Sequence, residues 1–437
     1  MPALHCPRTP RPWTAPLLLA LAAALLGAGC GGHHRTSWRH TGQGTVTEIH
    51  GTGASRDMRV EWWEGGLHTT LRARGPWEPS SDERGIVGLA EAGSVSITEK
   101  GGGARREVEF RPGEGGEVYS VYRLDGRETE FDAAAQDWFA GVLDTLIRRT
   151  GIGAEARARR LLTEGGPEAV LDELPRLESS TAQAAYVGAL LSEERFGGDL
   201  VRRTAEIVGR TVSSSSTAGE LLRALAAFER DDEALTRTLI EASEAISSSS
   251  TRGQLLEELA RGRPLTPDLA SRMMRSAEGI SSSSTSSQAL KVILEHSPAD
   301  PEVHRTYLAA ADSISSTSSR QEAYEALIRR GALPQSTWLR MVKGIEEFSS
   351  SSTRTELLVR VLDEAPGDPA LYSAVLDAID GTPSTSSQQR AMEALLKRPD
   401  LDKATLKKAA DVAGDISSSS TRAELLEEIL ELSLELE

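Results

Sequence analysis

Val212, Ile246, Ile280, Ile314, Phe348, Thr382 and Ile416 each open a stretch rich in serine and threonine, and each lies 34 residues after the last. A more divergent copy starts 36 residues earlier, at Arg176, with its run at Ser179-Ser180-Thr181. A fixed period of this length marks units that cannot bury an apolar face alone and do so only against their neighbours. The expected fold is therefore mainly α. It is an α-solenoid of helix-pair repeats over residues 176–437, with eight copies and the last truncated, preceded by a small antiparallel β module.

With the anchor as position zero, offsets 9, 10, 13 and 14 are apolar or small in every copy, as in Leu221, Leu222, Leu225 and Ala226 or Leu357, Leu358, Val361 and Leu362. That spacing buries one stripe of a helix. Offset 20 carries Asp232, Thr266, Asp300, Asp368 and Asp402, all suited to cap a second helix, and offset 21 is proline in Pro267, Pro301 and Pro369. Pro334 breaks the rule. Each unit reads as an antiparallel helix pair, and the serine run connects one pair to the next.

Thr217, Thr251, Thr285, Ser319, Thr353 and Thr421 stand three residues before Glu220, Gln254, Gln288, Glu322, Glu356 and Glu424, and Ser387 holds the same offset in its copy. This is the capping-box spacing, and earlier hydroxyls in each run are alternative caps. Serine suits these places because its hydroxyl competes for local backbone groups. Two other readings stay open. The hydroxyls could form a ladder at stacked helix N-termini for an anionic or carbohydrate ligand, or they could be modified, for instance by glycosylation.

At the other end, Arg8 and Arg11 precede the apolar stretch 17–26, and Gly27-Ala28-Gly29-Cys30 follows. A basic start, a short apolar run and small residues describe an export signal over residues 1–29, too short to span a bilayer. The cysteine after the small residues resembles the lipobox of bacterial lipoproteins, which implies cleavage before Cys30 and lipid on its sulfur. A plain secretory signal with an incidental cysteine is the alternative. With Cys6 removed, no internal disulfide is expected. Loss of residues 1–29 takes two arginines and no acid, moving the net charge from −16 to −18. That acidity, with 4% aromatic residues, argues against nucleic acid and anionic membrane surfaces as partners. The lipid is then the expected membrane contact.

Residues 30–44 read as a flexible tether. His33, His34 and His40 lie there without a second ligand cluster, so neither a metal site nor a cofactor is expected. From 45 to 131 the pattern changes to period two with glycine punctuation, predicting strands over 45–49, 58–63, 67–73, 94–99, 106–110 and 117–124 and a hairpin at Asp125-Gly126. Trp62, Trp63 and Trp77 either pack in core and turns or line a ligand groove. Residues 132–175 are expected to cap the solenoid. One helix there opens at Asp132 and ends at Gly151, and two more are split by Gly165-Gly166.

The stretches Ile246-Ser247-Ser248, Ile280-Ser281-Ser282, Ile314-Ser315-Ser316 and Ile416-Ser417-Ser418, with the segment 147–157, resemble a known repeat. It carries Ile-Ser-Ser-Asp-x-x-Lys and occurs in uncharacterised bacterial envelope lipoproteins and in extracytoplasmic parts of antirepressor-type membrane metallopeptidases. The resemblance covers residues 45–437 and implies helical repeats in the cell envelope, but no activity. Serine stands where that motif has aspartate, and the chain contains no His-Glu-x-x-His.

Gly-x-Ser-x-Gly, the phosphate-binding Gly-x-x-x-x-Gly-Lys-Ser/Thr, Ser-x-x-Lys and Cys-x-x-Cys are also absent. The expectation is a non-catalytic, lipid-anchored envelope protein facing the periplasm, with Gly31 favouring the outer membrane. Its acidic helical surface would bind a protein or peptide. The alternative is a sensory or regulatory ligand-binding protein acting on a partner.

Overall fold

The computed structural model describes residues 38–42, 45–50 and 57–436, with side chains from residue 57 onward. Cys30, His33 and His34 lie outside the described residues. The chain divides into two compact units, residues 1–189 and 190–437.

The first unit contains strands β1 (Trp38–Gly42), β2 (Thr45–His50), β3 (Asp57–Glu64), β4 (Leu67–Arg74), β5 (Trp77–Pro79), β6 (Ile86–Leu89), β7 (Ser94–Gly101), β8 (Ala104–Pro112), β9 (Val118–Leu124) and β10 (Arg127–Thr129). They form an antiparallel sheet in the order β1-β2-β3-β4-β7-β8-β9-β10, with β5 and β6 as a separate hairpin. Alternation puts Val60, Leu71, Ile97, Val108 and Tyr122 opposite one another across five strands, all buried. Helix α1 (Ala133–Thr150) covers this face. The Phe110 and Phe139 rings meet edge-on at 5.1 Å, and Trp138 Nε1 donates to Glu99 at 2.9 Å. Asp132 caps α1 by accepting from the Ala135 amide, and Gly151 ends it at φ 78°. Helix α2 (Ala154–Glu173) is broken at Gly166, φ 70°, just before Pro167, and α3 (Ser180–Leu191) follows.

The six expected strands are present. Strands β1, β5, β6 and β10 are additions, and β1 occupies residues 38–42, where a tether is expected. Boundaries are expected at 131/132 and 175/176, and the two compact units part at 189/190. The apolar stripe of α1 finds its partner on the sheet, and residues 132–175 fall in the first unit.

The second unit contains α4 (Asp199–Thr211), α5 (Ser215–Ala226), α6 (Glu233–Ser243), α7 (Ser249–Gly262), α8 (Pro267–Glu278), α9 (Ser283–His296), α10 (Pro301–Asp312), α11 (Thr317–Arg330), α12 (Gln335–Ile345), α13 (Ser351–Glu364), α14 (Pro369–Asp380), α15 (Thr385–Leu396), α16 (Lys403–Gly414) and α17 (Ser419–Glu435). Odd-numbered helices from α5 to α17 pack each on the next in one row, and even-numbered helices from α4 to α16 do the same in a second. The residues at offsets 9, 10 and 13 are buried between the rows, for example Leu255, Leu256 and Leu259, except Leu426, which is exposed. Asp232, Thr266, Asp300, Asp368 and Asp402 cap the second-row helices through their side chains, and α12, after Pro334, has no side-chain cap.

Candidate interaction surface

Each first-row helix starts at the second hydroxyl of its run. Ser214, Ser248, Ser282, Ser316, Ser350, Ser384 and Ser418 accept from the amides of Thr217, Thr251, Thr285, Ser319, Thr353, Ser387 and Thr421 respectively. The seven expected capping residues therefore lie in the first helical turn, three places after the actual caps. A capping box headed by them is not formed. The hydroxyls of Thr217, Thr251 and Thr285 donate to the capping serine itself at 3.0–3.1 Å.

The run also links one repeat to the next. Ser215 Oγ lies 2.9 Å from Ser247 Oγ and accepts from the Ser248 amide at 3.2 Å. The same pairs recur at Ser249 with Ser281 and Ser282, and at Ser283 with Ser315 and Ser316. Thr385 meets Ser417 at 3.0 Å. Successive runs thus form a seam in which these hydroxyls find their partners inside the protein, which favours the structural reading of the serines.

A second set of ties was not anticipated, although its period is visible in the sequence. At offset 6, Arg252, Arg320 and Arg354 each bridge the C-terminal ends of two successive second-row helices. Arg252 reaches Glu244 O and Ser276 O; Arg320 reaches Asp312 Oδ1 and Gly344 O; Arg354 reaches Glu346 O and Gly381 O, both at 2.7 Å. A cation among terminal carbonyls complements the helix dipole. Further arginines close the C-termini of first-row helices: Arg263 donates to Ala226 O and Phe228 O at 2.9 Å, and Arg398 to Leu362 O at 2.9 Å. Burial lowers the pKa of Arg252 and Arg263. Around Tyr372, whose hydroxyl donates to Asp400 Oδ1 at 2.6 Å, burial pushes the phenol up to about 12.

A cavity of about 650 Å³ opens between α10 and α12, lined by Asp300, Glu302, Arg305, Leu308, Thr337 and Arg340 among others. It lies where Pro334 interrupts the cap rule, after Gly331 (φ 62°) and Ala332 (φ 47°). Nearby on α10, His304 is buried with neither ring nitrogen hydrogen-bonded among the described residues. Burial lowers its pKa, and the Arg330 charge adds to the effect. Among the described residues no group of three His, Cys, Asp or Glu is placed to hold a metal ion, and no helix is long and apolar enough to cross a membrane. Trp62 is a core residue, Trp77 is half-buried and Trp63 is exposed.

No protein-family model matches the sequence, and no curated protein matches it either. A solved structure described as "Computational Design of Self-Assembling Cyclic Protein Homooligomers" is similar at 14% identity over 68% of this chain and 96% of that one, with a TM-score of 0.12. A likeness at that score carries no argument about fold or function.

Proposed function

We propose that the two helix rows are an α-solenoid whose surface binds a protein or peptide partner, and that the chain is a non-catalytic envelope protein held through lipid on Cys30 and facing the periplasm. The observation that carries this reading is the packing of every helix from α6 to α15 on its second neighbours in both directions. Such stacking turns sequence into long, quasi-one-dimensional surface, the architecture that repeat proteins use for binding. The cavity between α10 and α12 is the place where a partner side chain would anchor.

The test is site-specific photo-crosslinking of the full chain in native envelopes, with the reactive residue at Ser336, Arg340, Ser250 or Ser420 in turn. Adducts confined to one row, and abolished by Arg340→Glu, support the scaffold. Failure to crosslink from any array position, with adducts from Tyr119 on the sheet, refutes it. The anchor is tested separately: Cys30→Ser is expected to move the protein from the membrane to the soluble fraction, and unchanged partitioning refutes lipidation there.

A further inference from the structure

The face of the sheet turned away from α1 differs in character from the rest of this acidic chain. Alternation places on it Arg59, Glu61 and Trp63 of β3, His68 through Arg74 of β4 at every second position, and the corresponding residues of β7, β8 and β9. Its middle strands offer hydroxyls, Thr70 opposite Thr98 and Arg72 opposite Ser96. Most of its arginines are neutralised in place, as in Arg59–Glu61, Arg105–Glu107 and Arg111–Glu109. Arg72 and Lys100, both exposed, have no ion-pair partner among the described residues. One row across the strands reads Trp63, His68, Lys100, Arg105. In it the Trp63 and His68 rings stack at 4.5 Å with an interplanar angle of 8°, and Trp63 remains 51% exposed.

We infer that this face binds an acidic polysaccharide whose carboxylates are spaced by uncharged sugars. Trp63, steadied from behind by His68, is a flat apolar platform for a sugar ring. Lys100, two strands away and so roughly 10 Å off, and Arg72, roughly 14 Å from Lys100, supply sparse positive charge, while the threonines and serine between them suit sugar hydroxyls. The sparseness separates this ligand from nucleic acid, whose single strand carries a phosphate at every nucleotide and needs a continuous cationic track with repeated stacking platforms. A protein partner would call for a desolvated apolar centre, and the centre of this face is hydroxyl and charge.

The test uses the full chain in isothermal titration at low and high salt, with four probes. These are an alternating glucuronate–N-acetylglucosamine decasaccharide, a neutral N-acetylglucosamine oligomer, poly-L-glutamate and oligo(dT). The uronate oligomer is expected to bind, with the neutral oligomer at least about tenfold weaker. Trp63→Ala should weaken binding about tenfold, the scale of one lost stacking contact, and Lys100→Gln should weaken it about threefold and flatten the salt dependence. Lys100→Gln, at an exposed position, keeps the inference testable if Trp63→Ala lowers the melting temperature. No uronate binding at low salt, binding indifferent to both variants, or equal binding of poly-L-glutamate or oligo(dT) overturns it.

Discussion

Gly253, inside α7, lies against the next repeat so closely that a Cβ there would come within 2.5 Å of Thr285 Cγ2, and Gly219 stands in the same relation to Thr251. At the equivalent position two later copies have Ser287 and Thr355, facing Ser319 and Ser387, which lack the methyl group, whereas Gln321 and Gln389 face Thr353 and Thr421. The Ser287 and Thr355 hydroxyls donate to the carbonyls of those serines at 2.9 and 3.2 Å. At these four junctions, Gly219 with Thr251, Gly253 with Thr285, Ser287 with Ser319 and Thr355 with Ser387, size at one position is matched by size across the junction. Thr285 is β-branched in a helix and has little rotamer freedom with which to yield. Gly253→Ala therefore overpacks the junction, a cost of about 1–3 kcal/mol, against which the better helix propensity of alanine returns roughly 0.5–1 kcal/mol. The expected net loss reaches about 2 kcal/mol. Thr285→Ser alone removes one buried methyl, about 0.8 kcal/mol. Combined, the new Cβ fills the space of the lost methyl, and stability should return to wild type or slightly above. The coupling energy is then about 1–3 kcal/mol in favour of the double variant. Repeat arrays can open unit by unit, so the assay is urea denaturation of all four proteins together with amide exchange of α7 and α9. Additivity within about 0.5 kcal/mol would refute size matching as the reason for glycine here.

Two further outcomes are expected. Ser248→Ala should cost about 1 kcal/mol through loss of the α7 cap, whereas Ser250→Ala, at an exposed hydroxyl, should stay within about 0.5 kcal/mol; a larger loss at Ser250 in the same denaturation assay would place the cap elsewhere. Because burial holds the folded-state pKa of His304 below its ordinary 6.5, the unfolded chain takes up a proton before the folded one does, and stability falls as pH drops below about 6.5. His304→Leu should flatten that part of the pH–stability curve, and a parallel curve would clear His304 of the effect.

The repeat was legible because burial of the apolar stripe and capping of the second helices are local, one-residue-type choices: Leu255, Leu256 and Leu259, or Asp232 and Asp300, mean the same in a peptide as in the array. The caps of the first helices were not. Ser248, Ser249, Ser250 and Thr251 offer four hydroxyls in succession, and only the inter-repeat bonds of Ser249 and the methyl packing of Thr251 on Gly219 decide which one is left to cap. The short strands β5, β6 and β10 were hidden because three or four residues are too few to show alternation. The proposed interaction surfaces were legible least. Trp62 and Trp63 are adjacent in sequence and belong to opposite faces, and the strand register alone brings His68, Lys100 and Arg105 beside the second.

The seam and the arginine bridges are alternatives as much as additions. The serine pairs span the junctions ahead of Ile246, Ile280, Ile314 and Ile416. Ahead of Phe348, no hydroxyl bond joins Thr317 to Ser349 among the described residues, and ahead of Thr382 the position holds Pro383, which has no hydroxyl. At these two junctions an arginine takes over. Arg320 contacts Gly344 O, Glu347 and the face of the Phe348 ring at 4.6 Å, and Arg354 contacts Gly381 O and Thr382 Oγ1. Each junction keeps at least one polar tie, by whichever chemistry its residues allow. Arg354→Met should therefore cost about 1–2 kcal/mol, the scale of losing hydrogen bonds from a charged donor at a largely exposed site. Pro383→Ser restores a hydroxyl opposite Ser351 and should recover about 1 kcal/mol of that loss, and recover less when Arg354 is intact. Denaturation of the four proteins measures the difference, and a recovery independent of Arg354 would mean that the two ties do not substitute for one another.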